Sequence, residues 1–255
     1  MNQKQIERWA PVVVLFVTLV LWQLIVMIFS IPEYIFPSPV QIAQQFIEFK
    51  GPLLEAAWRT FWVTMVGFGL SIVVGVMLGF LVGSSRLAYA AFYPLMVGFN
   101  AVPKAAITPI LVVWFGIGLG PGVLTAFLIS FFPITVNIAT GLATLEPELE
   151  DVLRVLGARR WDVLMKVGLP RCMPFFYGSL KIAITLAFVG TVLAEMTAGD
   201  SGIGYLMQTA GSQQRMPLAF AGLVTIGAMA MVMYEIFSYI EKHTTAWAHR
   251  GSQGG

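Results

Sequence analysis

Glu146-Pro147-Glu148-Leu149-Glu150-Asp151-Val152-Leu153-Arg154-Val155-Leu156-Gly157-Ala158-Arg159-Arg160-Trp161-Asp162-Val163-Leu164-Met165-Lys166-Val167-Gly168-Leu169-Pro170-Arg171 is the stretch on which the fold turns. Ten of the chain's charged residues, of which there are 15 basic and 13 acidic, crowd into it, while the residues on either side carry almost none. Leu149, Val152, Leu153 and Leu156 keep the i, i+3, i+4, i+7 spacing of a helix. Gly157 interrupts, and the pattern predicts a second short helix from Arg159 to a stop at Leu169-Pro170. The product is helix, corner, helix. Such an element cannot bury its apolar stripe alone in water, and it presents Trp161 and its neighbours to a groove on another protein.

Outside this stretch the chain is apolar. Of its 255 residues 58% are hydrophobic and 11% charged, and the mean hydropathy is +0.81. These values place it in a bilayer. Uncharged runs cover 9–32, 60–85, 105–145 and 216–234, with shorter ones around Lys104 and Lys181. A helix needs roughly 20 apolar residues to cross about 30 Å of hydrocarbon. A barrel would alternate over segments of about ten residues instead. The expected fold is therefore all-α, a polytopic membrane protein of six transmembrane helices. The spans are expected near Ala10–Phe29, Thr60–Val82, Ala91–Trp114, Val123–Leu142, Phe175–Met196 and Leu218–Ile240, in one domain over 1–255. Gly116-Ile117-Gly118-Leu119-Gly120-Pro121-Gly122 divides the longest run into a hairpin. The first span follows Lys4 and Arg8, as a signal peptide would, but no small-residue cleavage site follows it, so it reads as a retained helix.

Lys and Arg set the orientation. Lys4, Arg8, Arg86, Arg154, Arg159, Arg160, Lys166, Arg171, Lys242 and Arg250 fall on one side, against Lys50, Arg59 and Arg215 on the other. The positive-inside rule puts both termini and the charged loop in the cytoplasm. Between spans one and two, a start signal at Ser38-Pro39 and apolar residues at 42, 43, 46 and 47 predict an amphipathic helix on the outer face. In span two, Ser71, Gly75, Gly79 and Gly83 make a stripe of small residues for close helix approach, with a partner in this chain or in another.

Glu150-Asp151-Val152-Leu153-Arg154-Val155-Leu156-Gly157-Ala158, followed by Lys166-Val167-Gly168-Leu169-Pro170, resembles the "EAA" loop of binding-protein-dependent ABC importer permeases. Asp151-Val152-Leu153 stands where that pattern has Glu-Ala-Ala, which leaves Glu150 and Asp151 as joint candidates for the acidic contact. Phe36-Pro37-Ser38-Pro39 resembles the nitrate, sulfonate, taurine and bicarbonate branch of these permeases. So does Pro103-Lys104 with Pro109 and Trp114-Phe115-Gly116-Ile117-Gly118, and so does Ala194-Glu195-Met196 with Ser201-Gly202-Ile203-Gly204-Tyr205. Four such stretches in the expected order cover nearly the whole chain.

The resemblance implies a type I ABC importer permease of a bacterial inner membrane, with the charged loop as its coupling helix. Its implied partners are a second permease copy in a homodimer, two ABC ATPase subunits, a periplasmic or lipid-anchored solute-binding protein, and membrane lipid. The residues implied to engage the ATPase are Glu150, Asp151, Gly157, Ala158, Arg160, Trp161, Asp162, Lys166, Leu169 and Pro170. Alternating access driven by that contact would carry a small anionic or polar solute such as nitrate, a sulfonate or a carboxylate. For the pathway the candidates are Asn100, Pro103, Lys104, Glu195 and Met196. Charges in or beside spans are costly in lipid, so Lys104 and Glu195 should face the interior or each other; the alternatives are an ion pair or snorkelling for Lys104 and a cap or buried partner for Glu195. Pro94, Pro103 and Pro109 permit a kink in span three.

Other classes are excluded by what is missing. No Lys is followed by Ser or Thr, so there is no GxxxxGK[ST] loop. No cofactor is expected on this chain, and ATP and Mg belong on the partner ATPase. Cys172 is the single cysteine, and no His/Cys cluster can hold a metal. The net charge of +2 is scattered and gives no nucleic-acid footprint. Gly199-Asp200-Ser201-Gly202 echoes a serine-protease string, but His243 and His249 lie at the other end of their span, so no triad assembles. A secondary transporter would more often carry several intramembrane acids or histidines and an inverted repeat.

Overall fold

In the computed structural model, residues 3–144, 152, 153, 155–157 and 159–245 are described, with side chains from residue 9 onward except at 105 and 160. All the regular elements among them are helical. They are α1 (Gln3–Ile28), α2 (Pro39–Glu48), α3 (Lys50–Gly83), α4 (Arg86–Ala101), a 3-10 turn (Lys104–Ile107), α5 (Thr108–Phe115), α6 (Leu119–Ala143), α7 (Arg160–Val163), a π-helical turn (Leu164–Gly168), α8 (Leu169–Ala198), α9 (Ile203–Ser212) and α10 (Met216–Thr244).

The centre is a trio of α3, α6 and α8. Gly67, Gly75, Gly79 and Gly83 on α3 let its backbone lie directly on α6. A Cβ at Gly75 would stand 2.9 Å from Ile134 Cβ, and one at Gly79 would stand 2.8 Å from both Ile138 Cβ and the Thr135 carbonyl. The small-residue stripe thus has its partner inside the chain. Ser71, in the same stripe, shares a 2.6 Å hydrogen bond with Ser130. Gly190 brings α8 equally close to Ala126. Between helices in apolar surroundings, contact of this kind supplies the attraction that release of water supplies in soluble proteins. Ile134, Ile184 and Phe188 fill the space between the three helices.

On one flank α10 packs through Phe237 on Phe68, and α2 and α9 close over it around Ile42, Leu53, Ala210 and Leu218. The Ser38 hydroxyl accepts from the Gln41 N–H while the Gln41 side chain accepts from the Ser38 N–H, a capping box that starts α2 where the sequence predicts it. Trp22 with Phe36 and Phe220 ties down α1, whose other residues lie mostly exposed.

Among the described residues, five helices are long and apolar enough to cross a bilayer. The remaining expected span, Ala91–Trp114, is not one helix. Pro103 has no N–H to donate, and it pushes Val102 into an extended conformation, ψ 126°, which ends α4. The chain restarts as the 3-10 turn and then α5, with Pro109 in its first turn. Pro94 sits inside continuous α4. A second difference concerns Leu169-Pro170, the expected stop. There Pro170 occupies the first turn of α8, where a missing N–H costs nothing, and α7, the π-helical turn and α8 run on from one another. The glycine hairpin stands: Gly116 and Gly118 take φ of 76° and 132°, and α6 starts after them.

Candidate functional site

The corner of the charged loop lies at Gly157, whose φ of 87° favours glycine and whose surroundings are open. Beyond it Asp162 caps α7, its Oδ2 accepting from the Arg159 N–H at 3.1 Å, and Lys166 approaches Asp162 at 3.8 Å on the exposed surface. Trp161 is 58% exposed, with one edge against Phe80 of α3 at 5.9 Å. Val152, Val155 and Leu156 present bare apolar side chains, and Leu153, Leu156, Val163 and Lys166 surround a depression of about 390 Å³. Leu169 and Pro170 begin α8, so this corner is joined to a core helix by the π-helical turn. Glu150, Asp151 and Ala158 lie outside the described residues, as does the side chain of Arg160.

At the break between α4 and α5, Lys104 folds back on the end of α4. Its ammonium donates to Asn100 Oδ1 at 2.7 Å and to the Asn100 carbonyl at 3.3 Å. The rings of Phe99 and Phe132 stand 5.9 and 5.6 Å away. A cation at a helix C-terminus is favourably placed against the helix dipole. Among the described residues its hydrogen bonds go only to Asn100, the Phe132 ring of α6 is its one long-range neighbour, and α4 has no buried residue.

Glu195 is placed quite differently. It is 7% exposed, near the end of α8, and its carboxyl oxygens accept from the Thr60 hydroxyl at 2.9 Å and from the Gly204 N–H at 2.9 Å. The Thr60 oxygen accepts in turn from the Ile203 N–H at 2.8 Å. Glu195 and Thr60 together therefore satisfy the first N–H groups of α9 and join three helices at one point. A Cβ at Gly202, where φ is 90°, would fall 2.2 Å from Glu195 Oε1, and one at Gly204 would fall 2.5 Å from the Val192 carbonyl. The Ser-Gly-Ile-Gly string exists to let α9 start against this carboxyl group. Lys104 and Glu195 do not meet; each has its own partners. Met196, next along α8, is partly exposed.

Two features escape a reading of the sequence. Thr60 carries no signal by itself, although paired glycines just past a buried acid mark where a backbone comes close to it. Lys181 forms an ion pair with Glu241 at 2.5 Å, linking α8 to α10, with the Tyr234 ring 5.8 Å away; the two side chains are 19% and 16% exposed. Among the described residues no three His, Cys, Asp or Glu side chains gather as metal ligands would.

The family model described as "Binding-protein-dependent transport system inner membrane component" matches residues 71–245. The chain belongs to this family. The permease is similar to a probable ABC transporter permease protein of Haemophilus influenzae, 32% identical over 96% of this chain and 99% of that one. It is also similar to the formylaminopyrimidine transport permease protein ThiX of Halalkalibacterium halodurans, 28% identical over 96% and 98% of the two chains. Among solved structures, a chain of the MetNI methionine ABC transporter in an inward-facing conformation superposes with a TM-score of 0.65 over 77% of this chain and 98% of that one, at 18% identity. The fold is that of type I ABC importer permeases.

Proposed function

We propose that this inner-membrane permease forms, with a second copy of itself, the pathway of an importer for a small polar solute. In this reading the pathway runs past the break between α4 and α5, and ATP and Mg are bound by a separate ATPase docked at 157–170. The supporting observation is Lys104. It sits on an interrupted, otherwise apolar segment, and among the described residues it donates hydrogen bonds only to Asn100 at the end of α4, with the Phe99 and Phe132 rings beside it and no residue of α4 buried by this chain. A charge at that depth needs protein or water against it, and a second copy enclosing a wet passage supplies both. Asn100, Pro103 and Lys104 then line the passage, with Met196 toward its outer end. In this reading Glu195 holds the start of α9 rather than lining the passage.

The ATPase side follows from family membership together with the exposed apolar corner at Val155, Leu156 and Trp161, which water alone would leave uncovered. Orientation follows the basic residues, with both termini cytoplasmic. For the cargo, the cation at Lys104 favours an anionic group such as a sulfonate, a carboxylate or nitrate; the formylaminopyrimidine of the Halalkalibacterium relative is a polar ring compound of similar scale.

The test uses the complete importer in proteoliposomes with its binding protein, offered labelled ethanesulfonate, nitrate and benzoate. For whichever is carried, Lys104→Gln is expected to raise KM about tenfold, equivalent to about 1.4 kcal/mol, and Lys104→Arg to restore it. An unchanged KM in the Gln variant overturns the pathway assignment.

A further inference from the structure

At the end of the bundle remote from Gly157, the first turns of α3, the length of α9 and the start of α10 line an open cleft of about 350 Å³. Its floor is apolar, formed by Ala56, Leu206, Ala210 and Leu218, and its rim is charged, formed by Glu55, Arg59 and Asp200. Tyr205, Thr209 and Gln213 add polar groups along α9. An apolar concavity with a few convergent polar groups, at the lower end of the roughly 300–1,000 Å³ range of ligand pockets, suits a compact small molecule.

The charges at the rim restrict what that molecule can be. Arg59 spends one Nη2 contact on Asp200 Oδ1, at a long 3.5 Å. Its other N–H groups have no protein acceptor among the described residues, so most of the guanidinium fork is free to receive an acidic group. Asp200 is held by the Ser201 hydroxyl, which donates to Oδ1 at 2.6 Å. That bond, with Arg59 beside it, keeps its carboxyl below the usual carboxylate range, and it stays ionised. Glu55, one turn before Arg59 on the same helix face, makes no hydrogen bond or ion pair with the described residues. Two carboxylates and one guanidinium share the rim. A simple anion meets the two carboxylates, and a simple cation meets Arg59. A molecule carrying both charges is opposed by neither.

The rim is also fixed in advance. Thr60, next to Arg59, is fully buried and bonded to Glu195 and Ile203, so the backbones bearing Arg59 and Asp200 are held by the same knot that starts α9. Preorganisation of that kind lowers the entropy cost of binding. We propose that this cleft is a binding site for a small zwitterion, with its ammonium toward Glu55 and Asp200 and its sulfonate or carboxylate on Arg59. Its use as a receiving site for solute rests on the orientation argued above; the binding itself does not.

The experiment places the full-length chain in lipid nanodiscs and measures binding of three probes by saturation-transfer NMR and calorimetry: 2-aminoethanesulfonate, ethanesulfonate and ethylamine. The zwitterion is expected to bind at least about tenfold more tightly than either half. Arg59→Gln should reduce it to the level of ethylamine, and Glu55→Gln with Asp200→Asn to that of ethanesulfonate. Thr209→Trp, which fills the cleft, should abolish binding. Glu55 is exposed and makes no bond with the described residues, so Glu55→Gln alone tests the rim without threatening the fold. Equal binding of 2-aminoethanesulfonate and ethanesulfonate, undiminished binding to Thr209→Trp, or no binding of any probe overturns the proposal. No ATPase or uptake enters the measurement, so its failure leaves the pathway proposal standing, and the reverse also holds.

Discussion

Thr60→Val should release the start of α9 while leaving the rest of the bundle intact. The substitution preserves shape and removes one oxygen, which now does two things: it donates to Glu195 at 2.9 Å and accepts from the Ile203 N–H at 2.8 Å. Ile203 and Thr60 are both fully buried, so water cannot replace either bond. A lost bond to an acidic group is worth about 1.5–3 kcal/mol, and an orphaned N–H costs about 1–3 kcal/mol more. With partial relaxation, a net loss of about 3 kcal/mol is expected, close to a hundredfold in the local opening equilibrium. Hydrogen exchange read by mass spectrometry on peptides covering 203–212 checks it, since slow exchange there reports closure of α9. The Val variant should lose about two decades of protection in these amides, with the α6 amides unchanged. Thr60→Ser, which keeps the oxygen, should restore it. If Val matches wild type, the hydroxyl is no hub; if protection falls equally in α6, the effect is global and the local argument fails.

Two further outcomes follow from packing and charge. Gly79→Leu should cost about 3 kcal/mol or more, because its Cβ would meet the Thr135 carbonyl and Ile138 at 2.8 Å; Gly98→Ala on α4, with open space around it, should stay near neutral. Monodisperse yield and melting temperature in detergent separate the two, and equal behaviour would contradict the α3–α6 contact. Lys181→Met or Glu241→Gln should each lower stability by about 2 kcal/mol by stranding a half-buried partner, and the double reversal Lys181→Glu, Glu241→Lys should recover at least half of it in thermal melts.

The long apolar runs and the charged loop were legible because each is a local property: hydropathy and helical spacing require only neighbours in the chain. The small-residue stripe on α3 was legible as a contact surface for the same reason. Its partner was not, since periodicity says that a face is smooth and leaves open which helix lies on it. Span three misled for a related reason. Composition is blind to where an apolar run stops being helical, and of Pro94, Pro103 and Pro109 only Pro103 ends a helix. Pro94 is absorbed within α4 and Pro109 falls in a first turn where its missing N–H is not needed. Pro170 is read correctly only once the helix before it is known to pass into a π-helical turn.

Lys104 and Glu195 look alike in the sequence, each a lone charge at the edge of a span. What separates them is how many partners arrive from elsewhere. Glu195 takes donors from Thr60, 135 positions earlier, and from Gly204 across the turn after α8, so its charge is consumed in closing the fold and little remains to offer a solute. Lys104 takes its acceptors from Asn100, four residues back at the end of α4, and its long-range neighbour among the described residues is the Phe132 ring, so it adds little to the tertiary structure. In the proposed pathway, a charge that the fold uses so little is available to what passes there. This is why the pathway proposal rests on Lys104, and why mutation of Glu195 is expected to act through the order of α9 rather than through recognition of the cargo.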